Sequence, residues 1–432
     1  MQVEMLIWII LFSCLLLGVP IFVSLGMSAF IVLTMTDIPL TIIPLDLFKM
    51  AEMFPLLAIP AFIFAGALMQ RADMALQIVE TMQAIVGRVR GGLGIVTIMG
   101  CMFLAALIGS GPATAATMGT LMIPAMIKEG YEKDYAAGIC ATGGTMGILI
   151  PPSNPMIVYG VIGNVSVTGL FMAGFLPGFL VGAMLIMTAY FIARKRGYKG
   201  SERSYTVDEF IKILWKNKWS LGAPIVILGG IYAGIFTPVE ASVVAVLYSL
   251  LVGFFITKKL RNLNLLWDSF ISAAETSGMV LMVIGVTQLF ARFLTMYQVP
   301  QNLAKWSMSV STDPQVILLM IAGFLFILGM FMEELATMAV VTPILVPLAR
   351  QVGIDPIHLG IMMVMTNQIA MLTPPLGVNL FVAMSVGNIS LEEAAKAVLP
   401  FMLVIMVATI IIIFFPEVVL FLPKLLLGYV VK

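Results

Sequence analysis

The sequence predicts an all-α polytopic membrane protein built from inverted structural repeats, each with one re-entrant hairpin and one broken helix. Three observations lead there. Of 432 residues, 61% are apolar and only 10% charged, whereas a soluble domain is about a quarter charged. Apolar segments long enough for a helix to cross roughly 30 Å of hydrocarbon recur from end to end, and barrel strands would be shorter and alternating. Finally, an offset of 223 residues aligns 103–152 with 326–375 without gaps, pairing Thr114 with Thr337, Pro124 with Pro347, Gly130 with Gly353 and Pro151-Pro152 with Pro374-Pro375.

Taken in order, spans are expected near 6–35, 54–70, 174–193, 220–236, 238–257, 269–294 and 395–415. The first follows Met1-Gln-Val-Glu with no basic region and no cleavage site, so it reads as a retained span and not a signal peptide. The segment 71–90, with Arg71, Arg88 and Arg90, reads as an amphipathic helix on the cytoplasmic surface or as a solvated connection. The connection 194–219 carries Arg194, Lys195, Arg196, Lys199, Arg203, Lys212, Lys216 and Lys218 against Glu202, Asp208 and Glu209, which makes it cytoplasmic. Lys258, Lys259 and Arg261 lie two spans further on and agree.

Two irregular regions remain. In the first, a hairpin at 93–128 turns at Gly109-Ser110-Gly111-Pro112, and a broken helix at 136–172 contains ICATGGTMGILIPPSNPMIVYG (139–160). In the second, the hairpin falls at 314–350 and the broken helix at 356–390. Charge places the first hairpin on the cytoplasmic face and the second on the outer face, the inverted arrangement of secondary transporters whose sites lie where helices break. The chain divides into amino-terminal spans and an amphipathic arm (1–92), a first repeat unit (93–193), a cytoplasmic loop with two spans (194–268), and a second repeat unit with a carboxy-terminal span (269–432).

The breaks carry the chemistry. Each Pro-Pro removes two backbone donors and frees carbonyls about one turn earlier, and a freed polar group at membrane depth costs several kcal/mol unless something satisfies it. A sodium ion would do so, with hydroxyls from Ser110, Thr142, Thr145 and Ser153 in one unit and Thr337, Thr366 and Thr373 in the other. Neighbouring helices and water would do so equally. Glu333 and Glu334 fall at the second tip, facing either a cation and a cavity or bulk water. Arg292, near the outer end of its span, either grips a substrate carboxylate or snorkels to the interface. Asn154, Asn367 and Asn379 would bind a substrate or cap the breaks. Glu240 reads as a helix-start residue, His358 as a helix-start residue after Asp355-Pro356, and Cys14, Cys101 and Cys140 as packing. With a net charge of +1, nothing points to nucleic acid. No Walker lysine loop, G-x-S-x-G elbow or H-E-x-x-H pair occurs, so the reading is a transporter driven by an ion gradient and not an enzyme.

Five motifs in fixed order, GSGPATAA (109–116), ILIPPSNP (148–155), GIFTPVEAS (234–242), GIDPIHLG (353–360) and LTPPLGVNLFV (372–382), resemble the large membrane subunit of tripartite ATP-independent periplasmic transporters. The resemblance implies a multi-pass protein of the bacterial inner membrane with an elevator-type fold, sodium-coupled uptake of an organic acid, a small four-helix membrane partner and a periplasmic substrate-binding protein. It places one sodium site around Ser110, Gly147, Ile150 and Pro152 and a second around Gly329, Glu333, Leu372 and Pro375. An arginine at position 292 resembles the sialic-acid branch, with Arg292, Ser153, Asn154, Asn367 and Asn379 as the substrate set. The other reading of the same design is a stand-alone divalent-anion/sodium symporter.

Overall fold

The computed structural model describes residues 2–36, 39–200 and 205–429. Helices α1 (Gln2–Leu16), α2 (Ile21–Thr34) and the short α3 (Ile42–Ala51) lead into a first unit: α4 (Ala58–Arg71), α5 (Met74–Val86), α6 (Gly92–Ile108), α7 (Gly111–Lys128), α8 (Lys133–Thr145), α9 (Asn154–Gly163) and α10 (Val167–Arg196). Helices α11 (Val207–Tyr232) and α12 (Pro238–Leu251) connect it to a second unit: α13 (Leu263–Met296), α14 (Val299–Val310), α15 (Pro314–Gly329), α16 (Glu334–Gln351), α17 (Pro356–Ala370), α18 (Val378–Gly387) and α19 (Leu391–Phe414). Helix α20 (Glu417–Leu427) follows.

The repeat is longer than its sequence match. In each unit a left-handed residue, Asp73 (φ 58°) or Gln298 (φ 52°), turns the chain into a short amphipathic helix, α5 or α14. A hairpin follows, then a helix broken at a cis Pro-Pro. A left-handed asparagine, Asn164 or Asn388 (φ 50° in both), then ends α9 or α18. Asparagine tolerates that conformation better than most residues. A serine cap, Ser166 or Ser390, starts the long α10 or α19 by accepting the amide of Gly169 (3.1 Å) or Glu393 (3.3 Å).

Side-chain pairing shows that the units are inverted. On one face Asp73 meets Lys259 at 2.8 Å, and Arg196 meets Asp134 at 2.9 Å and also Glu132. That face holds the basic clusters and both ends of the first hairpin, whose Tyr131 donates to the Lys199 carbonyl at 3.3 Å. On the other face Arg350, at the end of the second hairpin, donates to the Gly163 carbonyl at 3.4 Å. By the positive-inside rule the first face is cytoplasmic.

Several boundaries differ from expectation. The apolar run 6–35 would make a helix of about 45 Å, too long for one span. It is instead two helices, α1 and α2, packed together around Gly18 (φ 75°) and Pro20. The first broken helix ends at Gly163 and not 172, and α10 starts at Val167 and not 174, because Asn164 and Ser166 form a stop and a start two residues apart. Most of 194–219 is helical: a capping box between Thr206 and Glu209 begins α11 at Val207, while Glu202 and Arg203 lie outside the described residues. The surface helix α5 is pinned to α11 by Lys216–Glu80 (2.9 Å) and by Ser220 donating to Gln77 at 2.7 Å. Helices α3, α14 and α20 were not expected; α14 meets α15 at a bend of 118°.

Glu240 is the expected helix-start residue, closing a capping box with Thr237. His358 lies in the first turn of α17, its ring bonded to the Ile412 carbonyl at 2.8 Å, and the three cysteines are buried and free.

Candidate functional site

The tips of both hairpins reach the Pro-Pro breaks, and the amides near the breaks decide which carbonyls are left without partners. In the first unit Pro151 and Pro152 carry no N–H for the carbonyls four residues back, Gly147 and Ile148. Ser153 compensates the second by donating its hydroxyl to Ile148 O at 2.6 Å. The Asn154 amide, which a continuous helix would point at Ile150, instead crosses to the hairpin tip and donates to Gly109 O at 3.2 Å. The Met156 amide goes to Ser153 Oγ at 3.4 Å and so misses Pro152. Gly147, Ile150 and Pro152 thus lose their helical donors together.

The second unit repeats the device. Pro375 has no N–H for Met371, and the Leu376 amide crosses to the second tip, donating to Met330 O at 3.0 Å, which deprives Leu372. Only Ala370 is compensated, by the Thr373 amide at 3.0 Å.

Packing brings the tips close. A methyl group on Gly147 would lie 2.6 Å from Thr114 Oγ1 and nearer still to the Ser110 carbonyl, and one on Gly109 would lie 2.7 Å from Pro152 O. Gly109 also has φ 67°, so it must be glycine twice over. A methyl group on Gly329 would lie 2.7 Å from Ala370 Cβ and 3.3 Å from Asn367 Oδ1. The two breaks are joined directly: Gln368 donates to the Thr145 carbonyl at 2.9 Å, and Asn379 to the Ala141 carbonyl at 3.3 Å.

This region is rich in buried polar atoms without a partner: Asn154 Oδ1, Asn367 Nδ2, Gln368 Oε1, Asn379 Oδ1 and Glu334 Oε2. Native interiors pair the large majority of such atoms, so a cluster of exceptions is where an ion, water or ligand belongs. The asparagines are not caps, since Ser153 caps α9 and Gly377 precedes α18. Among the described residues no group of three or more His, Cys, Asp or Glu is placed to hold a metal. A cation here would be held by carbonyl, amide and hydroxyl oxygens, the hard donors that suit sodium.

Some expected ligands are otherwise engaged. The Ser110 carbonyl already accepts the Thr114 amide (3.1 Å) and hydroxyl (2.8 Å), which leaves the Ser110 hydroxyl for an ion. Thr142, Thr145, Thr366 and Thr373 all bond back to their own helices, the usual habit of helical threonine, and Thr337 does the same with Glu333 O at 3.0 Å. Glu333 caps α16, its carboxylate accepting the amides of Leu335 (3.0 Å) and Ala336 (3.3 Å). Glu334 is buried, and the Gly111 amide of the opposite tip faces its carboxyl group. The Ser153 hydroxyl is committed to the break.

Arg292 is elsewhere. It binds Asp46 of α3, with Nε donating to Oδ2 at 2.7 Å and Nη2 to Oδ1. This pair lines a cavity of about 600 Å³ between α3, α13 and the outer ends of α9 and α16, together with Lys49 and Arg350. Arg292 is therefore paired with a buried acid, in a cavity that the three asparagines do not line. Asp46, Gln368 and Arg350 were missed in the sequence, although Asp46 in IIPLDLFK and Gln368 in MTNQIA are polar residues within apolar runs.

Over residues 8–418 the chain matches the family described as the tripartite ATP-independent periplasmic transporter, DctM component. The chain belongs to this family. It is a multi-pass inner-membrane transporter subunit and not an enzyme. Membership also decides against the stand-alone symporter reading. It is 40% identical over 408 residues to the isethionate TRAP transporter permease of Oleidesulfovibrio alaskensis, covering 94% of this chain and 64% of that protein. It is 39% identical over 402 residues to the C4-dicarboxylate TRAP transporter large permease of Pseudomonas aeruginosa, covering 93% and 94%. It is 36% identical over 426 residues to the sialic acid TRAP transporter permease of Haemophilus influenzae, covering 98% and 68%. The YdaH transporter of Alcanivorax borkumensis shares the fold, with a TM-score of 0.61 over 85% of this chain and 86% of that one at 15% identity.

Proposed function

We propose that this TRAP permease chain imports an organic acid by sodium-coupled elevator transport, with a periplasmic substrate-binding protein delivering the acid and a small four-helix membrane subunit beside it. The diverted amides of Asn154 and Leu376 carry this reading. They leave Ile150 and Leu372 with carbonyls that need a cation, beside the Pro-Pro of each inverted unit but one residue out of register with each other. One sodium would sit among the Ser110 hydroxyl and the carbonyls of Gly147, Ile150 and Pro152. The other would sit among Gly329, Leu372 and Pro375, with Glu333 holding the tip by capping α16. Both hairpins and both broken helices would move together, since Gln368 and Asn379 tie the breaks to each other.

The relatives' names span isethionate, C4-dicarboxylates and sialic acid, so an acidic group is the shared feature of the cargo. Asn367 has an unpaired Nδ2 that can donate to it, the unpaired Oδ1 atoms of Asn154 and Asn379 can accept from hydroxyl groups of the cargo, Ser153 positions the first break, and Arg292, in a separate cavity, meets the carboxylate on the outer side. A sialic acid or related sugar acid is favoured, with a C4-dicarboxylate next. The test is uptake by purified permease and its small subunit in liposomes. Uptake should require both an inward sodium gradient and the delivery protein. Equal uptake under potassium would overturn the sodium coupling, and uptake without the delivery protein would overturn the tripartite arrangement.

A further inference from the structure

The outer cavity poses an electrostatic question of its own. Its lining carries three cations, Lys49, Arg292 and Arg350, against one acid, Asp46. Asp46 is 5% exposed and Arg292 is 38% exposed, so the carboxylate lies behind the guanidinium and the guanidinium faces the cavity. Arg292 spends Nε and Nη2 on the two oxygens of Asp46. That side-on bidentate grip is the one a substrate carboxylate would take.

Arg350 lies across the cavity on α16, tied to the carbonyl of Gly163. An anion between Arg292 and Arg350 would therefore bridge α13 to the second hairpin. Three unopposed cations in a partly enclosed space would attract every small anion, and Asp46 reduces that attraction. Lys49 lies three residues beyond Asp46 on α3, where two side chains of one helix meet. If Arg292 turned to a ligand, Asp46 would still have a cation within reach, and no buried charge would be stranded.

We propose that Asp46 is an internal carboxylate that competes with the transported acid for Arg292, so that the acid enters by replacing one carboxylate with another. This makes Asp46 a specificity-determining residue on the outer side, and it rests on the organic-acid reading above. Anions that cannot match a bidentate carboxylate, chloride among them, fail to displace Asp46 and are turned away.

The test uses the purified permease with its small subunit. Half-saturating concentrations of N-acetylneuraminate, succinate and isethionate are read from thermal unfolding, and KM and kcat from liposome uptake. Asp46→Asn removes the competitor at nearly constant shape, so half-saturation and KM for the acid that binds should both fall, by roughly fivefold, the scale of a half-exposed ion pair. Chloride should begin to inhibit. An unchanged or raised half-saturation would mean that Asp46 only orients Arg292, and the proposal would be overturned. Wild-type uptake in the same preparation separates the two readings: failure there counts against organic-acid transport, whereas wild-type success with an unresponsive Asp46→Asn counts against this inference alone. Should Asp46→Asn fail to fold, a structure of the wild-type complex at saturating acid decides. Arg292 should be bound to the ligand with Asp46 turned to Lys49; Arg292 still on Asp46 overturns the proposal.

Discussion

The two Pro-Pro breaks share their local chemistry and differ in how they are covered. Residues 149–153 are all buried, whereas Thr373 and Pro374 are half-buried and Pro375 is exposed. Helix α10 seals the first break because Gly174 and Gly178 let it approach. A methyl group at either position would lie 2.7 Å from Leu149 O or from Ile150 Cγ1, respectively. Counted from the matching serine caps Ser166 and Ser390, α19 carries Val398 and Met402 at these places instead. The tips differ as well: Gly109 and Ser110 make a two-residue turn with no side-chain cap, whereas the second tip runs over Met330–Glu333 and ends in a carboxylate cap. The lesson is that a repeated backbone break need not serve the same solvent. The first break is sealed from solvent, and the second is open to it.

The largest effect is expected from a matched pair of glycine substitutions. Gly147→Val drives methyl groups onto Ser110 and Thr114 inside the sealed unit and should cost about 3 kcal/mol, with loss of thermal stabilisation by sodium. Gly329→Val meets the Ala370 methyl beside a partly open break and should cost about half as much. Equal drops in melting temperature would show that the two breaks are equally constrained. A smaller effect is expected for Gly174→Ala, which lifts α10 from Leu149. About 1–2 kcal/mol should be lost, and amide exchange should quicken around Ile150 and stay unchanged around Leu372.

Smaller still is the difference between the tips. Glu333→Ala removes a helix cap and should cost about 1 kcal/mol, whereas Ser110→Ala should leave stability almost unchanged while weakening the sodium response. Both are read from unfolding with and without sodium.

The smallest effect concerns the cytoplasmic clamp of the first unit. Burial raises the Asp134 carboxyl, but the Arg196 guanidinium and the Tyr135 amide more than offset it and hold the group below its ordinary value. A depressed carboxylate stabilises the fold above its unfolded pKa and loses that contribution as pH falls through the folded one. Asp134→Asn should therefore lower the melting temperature near neutrality and flatten its dependence on pH below about 4.

Much of the site was legible in the sequence because its cause is local. Proline has no amide hydrogen wherever it sits, so Pro151-Pro152 and Pro374-Pro375 announced two breaks and named the turn of carbonyls they free. The hairpins were legible for the same reason, from Gly109-Ser110-Gly111-Pro112 and from the repeat. What could not be read was the destination of each remaining donor. Ser153 looked like a ligand and serves Ile148. Glu333 looked like an intramembrane charge and caps a helix. Helix boundaries at Asn164–Ser166 were missed because asparagine in a left-handed turn leaves no proline or glycine mark in the sequence.

Most of the helices, their breaks, the repeat and the direction in which each unit faces follow from the sequence alone. These depend on apolar length, missing amide hydrogens and the placement of lysine and arginine, all properties of neighbouring residues. Contacts in space decide that the amides of Asn154 and Leu376 cross to the hairpin tips of their own units, that one break is sealed and the other open, and that Arg292 holds Asp46. Those outcomes depend on which surfaces meet in space. Asp46 and Arg292 lie 246 residues apart in the chain, and no local pattern encodes a partner at that distance.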